Sequence, residues 1–222
     1  MNNKSDMTPQ RLKTPRAAAI AGIVFSLLVI TSFVLIRISI PATPTGPAAD
    51  FITHLKELSF ALNLLPFAGI AFLWFIAVLR DRLGELEDRF FATVFLGSGL
   101  LYIATIFELA VVAGGLVSIL RSPESLSQSG AYALGRAEIY EAMYTFATKM
   151  AGAFMITTST ISLRTRIYPR WMAMLGYAFA VMLLLSAKAI VWISLVFPLW
   201  VLLISVYILA ETFRDRPALQ GK

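Results

Sequence analysis

The chain of 222 residues has no cysteine, a single histidine, and charged side chains at only 14% of its positions. Without thiols it can build no disulfide framework, thiolate nucleophile, iron–sulfur cluster or cysteine-ligated zinc. One histidine, His54, cannot supply a bis-histidine haem site or a histidine-rich metal centre. There is no GxxxxGK[ST] phosphate loop and no HExxH pair. Gly97-Ser98-Gly99 lacks the spacing of a GxSxG nucleophile elbow, and no histidine is placed to serve it as base. No aspartate falls inside an apolar run, which excludes a paired-aspartate intramembrane hydrolase. No catalytic residue, cofactor or metal site is therefore expected, and no polar stretch is long enough for a soluble domain.

What is present is apolar. Hydrophobic residues make up 58% of the chain, and the mean hydropathy is +0.76. Soluble domains are roughly 45–50% apolar and about 25% charged. A soluble fold of this size could not hide so much apolar surface, so the solvent of this protein is lipid.

A spanning helix needs about 20 mostly apolar residues, because the hydrocarbon core is ~30 Å thick and each helical residue rises ~1.5 Å. Six such runs can be read. They are Ala17 to Ile40, Leu58 to Leu79, Phe91 to Leu120, Ile139 to Leu163 and Trp171 to Ala187, then a sixth from between Val191 and Pro198 to near Thr212. A lipid-exposed backbone has no water to bond, so each is expected to be helical. The stretch Trp171 to Phe213 is too long for one span and is read as two helices with a turn near Lys188. Pro198 then falls in the first turns of the last helix, where a missing N–H is tolerated. The first run is longer than a signal-peptide core, which favours an uncleaved anchor.

Lysine and arginine set the orientation. Thirteen of the nineteen lie in the N-terminal tail, after spans two and four, and in the C-terminal tail. Five (Arg37, Lys56, Arg121, Arg136 and Lys188) fall on the other side, and Lys149 lies within a span. The expected fold is an all-α, polytopic six-helix transmembrane bundle in the cell (plasma) membrane, with both termini cytoplasmic. Residues 1–16 form a disordered tail, 17–213 a single transmembrane domain, and 214–222 a second tail. The net charge of +6 then reflects orientation and attraction to anionic lipid headgroups. No basic run interleaved with aromatics points to nucleic acid.

Pro41, Pro44 and Pro47 recur at a spacing of three, which suits a short polyproline II spacer. A faint repeat is also visible. Pro15-Arg16 precedes Gly22 as Pro169-Arg170 precedes Gly176, and Arg80-Asp81-Arg82 is echoed by Arg214-Asp215-Arg216. Hairpin one–two could thus correspond to hairpin five–six.

The runs PRAAAIAG at Pro15–Gly22 and YPRWMAMLGYA at Tyr168–Ala178 resemble those of small multi-span bacterial membrane proteins of the actinobacterial type, grouped as domains of unknown function. The likeness covers most of the chain. It implies a helical membrane protein and carries over no activity or functional residue.

Ionisable groups at membrane depth are functional candidates by default, because each costs several kcal/mol unless paired or hydrated. Glu108 in span three and Lys149 in span four are two such groups. They lie about 18 Å and about 15 Å from the outer ends of their spans at ~1.5 Å per residue, so they could pair. In span four, Glu141, Thr145, Thr148, Gly152, Met155 and Ser159 follow alternating steps of four and three. Gly97, Leu101, Ala104, Glu108, Val111 and Gly115 do the same in span three. These stripes suggest that the two spans pack through them. Asn63, three residues before Pro66, completes the set of intramembrane polar candidates and reads as local glue.

Three function classes remain. The first is a non-catalytic protein acting through lipid or protein partners, including a homo-oligomer. The second is a small-solute or proton-coupled transporter using the Glu108–Lys149 pair. The third is an intramembrane enzyme. A water-filled cavity at Glu108 would point to transport. A dry core with an exposed small-residue face would point to assembly.

Overall fold

In the computed structural model, residues 14–40, 54–83, 89–120, 129–165, 168–185 and 192–214 are described. They form six helices: α1 Thr14–Ser39, α2 Leu55–Leu83, α3 Arg89–Leu120, α4 over 129–165, α5 Arg170–Leu185 and α6 Val196–Arg214. α4 is interrupted. Its segments Ser129–Glu141 and Ala147–Thr165 are joined by a π-turn, Ala142–Phe146. α6 is entered through a 3-10 turn, Ile193–Leu195. No strand occurs among the described residues.

Four of the six helices are long and apolar enough to cross a membrane: Arg16–Ser39, Leu55–Arg80, Phe90–Ile119 and Ile193–Arg214. α4 is not among them, as expected of the most polar run. α5 has 16 residues, about 24 Å of helix, which is short of the ~30 Å hydrocarbon core. The long apolar stretch after Trp171 does divide, with α5 ending at Leu185 and the chain turning helical again at Ile193. Pro198 is the third residue of α6, in its first turn, where a missing N–H is tolerated. α1 starts at Thr14, with Pro15 in the position where a helix tolerates it best. The end of the expected tail 1–16 is thus helical from Thr14; the rest of it, the 41–47 proline segment, the turn near Lys188 and the tail 215–222 lie outside the described residues.

Side-chain contacts define the two ends of the bundle. The Arg16 guanidinium lies 5.0 Å above the Phe213 ring, and Arg164 lies 4.8 Å above Phe91. The start of α1 thus meets the end of α6, and the start of α3 meets the end of α4. At the opposite end Arg37 donates to the Tyr140 hydroxyl at 3.3 Å, and that hydroxyl donates to the Ile40 carbonyl at 3.1 Å. Chain entry and exit lie side by side, as an even number of passes requires.

The core is aromatic. Phe25, Phe72, Tyr102, Phe154 and Phe197 come from five different helices and pack ring to ring. Phe25 and Phe72 stack at 4.4 Å, Tyr102 meets Phe197 edge-on at 4.6 Å, and Phe72 lies 5.3 Å from Phe154. Lipid tails are as apolar as these rings, so hydrophobicity alone gives the helices no reason to associate. Ring geometry and dense van der Waals contact supply that reason.

Glycines set the closest crossings. A Cβ at Gly22 would strike Ser205 Oγ of α6 and come within 2.8 Å of Phe75 Cδ2 of α2. A Cβ at Gly176 would strike Ser159 Oγ of α4 and approach Trp200 of α6 at 3.0 Å. Gly22→Ala is expected to cost about 1–3 kcal/mol of overpacking, against under about 1 kcal/mol gained in helix propensity. Ser205→Ala on that background is expected to recover part of the loss, measured by unfolding in mixed micelles of increasing dodecyl sulfate. An unchanged midpoint in Gly22→Ala would refute this crossing.

The expected repeat does not extend to packing. α1 and α2 form the most extensive helix pair, whereas α5 and α6 barely touch. α5 packs on α4 instead, and α6 packs on α1.

Candidate functional site

The two stripes read from spans three and four do not meet. In α4, Gly152 lies against Ala180 and Leu184, and Ser159 against Gly176, so the stripe faces α5. In α3 none of the six stripe residues is buried. Leu101 is 56% and Val111 75% exposed. α3 meets the bundle with its other, bulkier side: Phe95, Tyr102, Ile106, Leu109 and Ala113 are buried. Both sides of α3 have helical periodicity and both are apolar, which is why spacing alone could not tell them apart in a lipid solvent.

The small residues on α3's outer side are open. A Cβ added at Gly97, Gly114 or Gly115 would meet nothing within 4 Å. The other described glycines in α1, α2, α4 and α5, apart from Gly130 at the start of α4, are packed against a neighbouring helix, as is Gly99 on the inner side of α3.

Glu108 lies on this outer side and is exposed. It does not pair with Lys149, which corrects the expected Glu–Lys contact. The Lys149 ammonium reaches the other way, donating to the Leu183 carbonyl at 3.1 Å and the Leu184 carbonyl at 2.6 Å. Both carbonyls lie in the last turn of α5, and a helix C-terminus carries partial negative charge. A cation there is favoured by that charge, which suits a helix that stops short.

The remaining candidates make hydrogen bonds within their own helices. Asn63 is exposed, and its amide donates to the Ser59 carbonyl one turn back at 2.9 Å. The Thr145 hydroxyl donates to Glu141 Oε2 at 2.8 Å. Thr148 is buried, and its hydroxyl bridges the Tyr144 and Thr145 carbonyls at 2.7 and 3.0 Å. Those carbonyls belong to the π-turn, where the widened helix loosens the regular ladder. Glu141, Thr145 and Thr148 thus all serve that turn. Further along, Thr157, Thr158 and Thr160 bond carbonyls of the preceding turn, and Thr160 shares a 2.6 Å hydrogen bond with the Tyr177 hydroxyl.

The sequence reading missed three features. The π-turn has no sequence signature. Beside it is a cavity lined by Tyr102, Met143, Thr148, Ser194 and Phe197 among others, of about 10 Å³, which is room for about one water. Tyr102 contributes a buried hydroxyl with no hydrogen-bond partner. The third is Tyr168, just ahead of α5. Its hydroxyl donates to the Thr158 carbonyl at 3.3 Å, and burial pushes its pKa well above the ordinary tyrosine value, so it acts as a neutral donor. Among the described residues, no three His, Asp or Glu side chains gather as a metal site would require.

The described residues thus form an aromatic-packed bundle in which one apolar, small-residue helix face, carrying Glu108, is turned outward. Comparison with protein families, curated proteins and solved structures finds no match to this chain.

Proposed function

We propose that this is a non-catalytic, multi-pass protein of the plasma membrane that acts by assembling with another transmembrane helix through the outer face of α3. The observation that carries the reading is Glu108. It lies 12 residues from the end of a 32-residue apolar helix and points away from its own bundle. A carboxyl group facing bare hydrocarbon is costly, so such a residue implies a partner or water at that position. The open glycines beside it allow a helix backbone to approach closely, which is how helices bind in lipid.

Transport through a Glu108–Lys149 relay draws less support. The two side chains diverge, and the cavity at the π-turn has room for about one water. The likeness to small bacterial membrane proteins fits the assembly reading without adding an activity. Arg16, Arg80, Arg164, Arg170 and Arg214 all fall at one end of the bundle, which we read as cytoplasmic and in contact with anionic headgroups.

A photoreactive benzoylphenylalanine in place of Val111, illuminated in the native membrane, tests the proposal. A protein adduct is expected from this position and none from Val181 on α5, which is also exposed. Adducts to lipid alone at Val111 would overturn it.

A further inference from the structure

We infer that the cavity beside the π-turn is a binding site for one water molecule, which joins the Tyr102 hydroxyl of α3 to the Thr148 hydroxyl of α4. The site stands apart from the outer face of α3 and does not depend on the assembly reading.

Tyr102 lines the cavity and is 2% exposed, and among the described residues its hydroxyl has no hydrogen-bond partner. A buried hydroxyl left bare is costly, so such a group calls for a ligand. The cavity, at about 10 Å³, is close to the least space that admits a water. A larger solute does not fit. None of the lining residues is charged, so an ion would face no counter-charge. Three hydroxyl-bearing residues contribute to the lining: Tyr102 on α3, Thr148 on α4 and Ser194 in the 3-10 turn before α6. An ordered water takes two to four polar partners, whereas a wholly apolar cavity stays dry.

The bond directions are compatible. Thr148 gives its one hydroxyl hydrogen to the Tyr144 and Thr145 carbonyls of the π-turn, so towards the cavity it can only accept. The water donates to Thr148 and accepts from the Tyr102 hydroxyl. It thereby ties the widened turn of α4 to the aromatic core, which Tyr102 joins through Phe197. Such turns are frequent at functional sites.

The full-length protein, reconstituted in phosphatidylglycerol vesicles, tests the site with water itself as the probe. In solid-state NMR, polarisation from water protons should reach the Met143 or Ala151 methyl group, both of which line the cavity. It should not reach Ala68 on α2, which is as buried as Ala151. Transfer to neither cavity methyl, or equal transfer to Ala68, would overturn the inference.

Deleting the hydroxyl gives a second readout. Were it bare, Tyr102→Phe would remove a buried unpaired group and raise the unfolding midpoint in mixed micelles. With water bound, the midpoint should fall and the transfer to Ala151 should weaken. On a Thr148→Val background, where the other anchor is already gone, Tyr102→Phe should lower the midpoint by less, as coupled partners do. A raised or unchanged midpoint in Tyr102→Phe, or the same fall on both backgrounds, would also sink the site. If Thr148→Val fails to fold, the wild-type transfer and the sign of the Tyr102→Phe shift still decide.

Discussion

Lys149→Met is expected to lower the unfolding free energy by about 2–4 kcal/mol, because hydrogen bonds to a charged donor contribute roughly 1.5–3 kcal/mol and the helix-end charge adds up to about 1. The substitution keeps the length and apolar stem of the side chain and removes only the ammonium. It leaves the Leu183 and Leu184 carbonyls without that donor at the end of α5. Lys149→Arg should recover part of the loss, since a guanidinium is also a donor there but reaches farther in a different shape. The measurement is the loss of far-ultraviolet helicity in mixed micelles. A wild-type midpoint in Lys149→Met would show that the ammonium does not hold α5.

The same series separates two roles for Lys149. If it neutralised Glu108, then Glu108→Gln and Lys149→Met would be strongly non-additive. With the lysine bound to α5 and the glutamate facing outward, the two effects should add within about 0.5 kcal/mol.

The second large effect is expected at Phe72. Its ring is fully buried and touches Phe25, Phe75, Tyr102, Phe154 and Phe197, with centroids 4.4 to 6.0 Å away. Truncating a buried Phe to Ala costs about 3–5 kcal/mol in water-soluble cores. In a bilayer the displaced ring returns to an apolar solvent, so the transfer part of that cost shrinks and the cavity part remains. About 2–4 kcal/mol is expected for Phe72→Ala, read in the same micelle titration. Phe67→Ala, five residues earlier and 63% exposed, should change stability by less than about 0.5 kcal/mol. Equal losses at the two positions would mean that the aromatic cluster does not hold the bundle together.

Several readings from residues alone coincide with the fold. Apolar runs located the six described helices, and in four of them the run has the length that the thickness of a bilayer imposes. The division of the stretch after Trp171 followed from the same arithmetic. Asn63 was read as local glue and bonds its own helix. Glu108 and Lys149 were singled out because any charge inside an apolar run is conspicuous. Their partners were not legible. Lys149 finds the end of a helix 34 residues away in sequence, and nothing in the composition of α5 announces that its last carbonyls need a cation.

Composition and charge spacing by themselves determined the solvent, the number of helices and the expected orientation, because water and lipid sort residues by chemistry whatever the neighbours are. Which side of each helix turns inward was decided only by the tertiary structure. In water, burial selects the apolar face, and periodicity reveals it. In lipid both faces of α3 are apolar, so the choice falls to shape: Tyr102 and Phe95 interlock with rings from other helices, and Gly97, Gly114, Gly115 and Glu108 are left facing out.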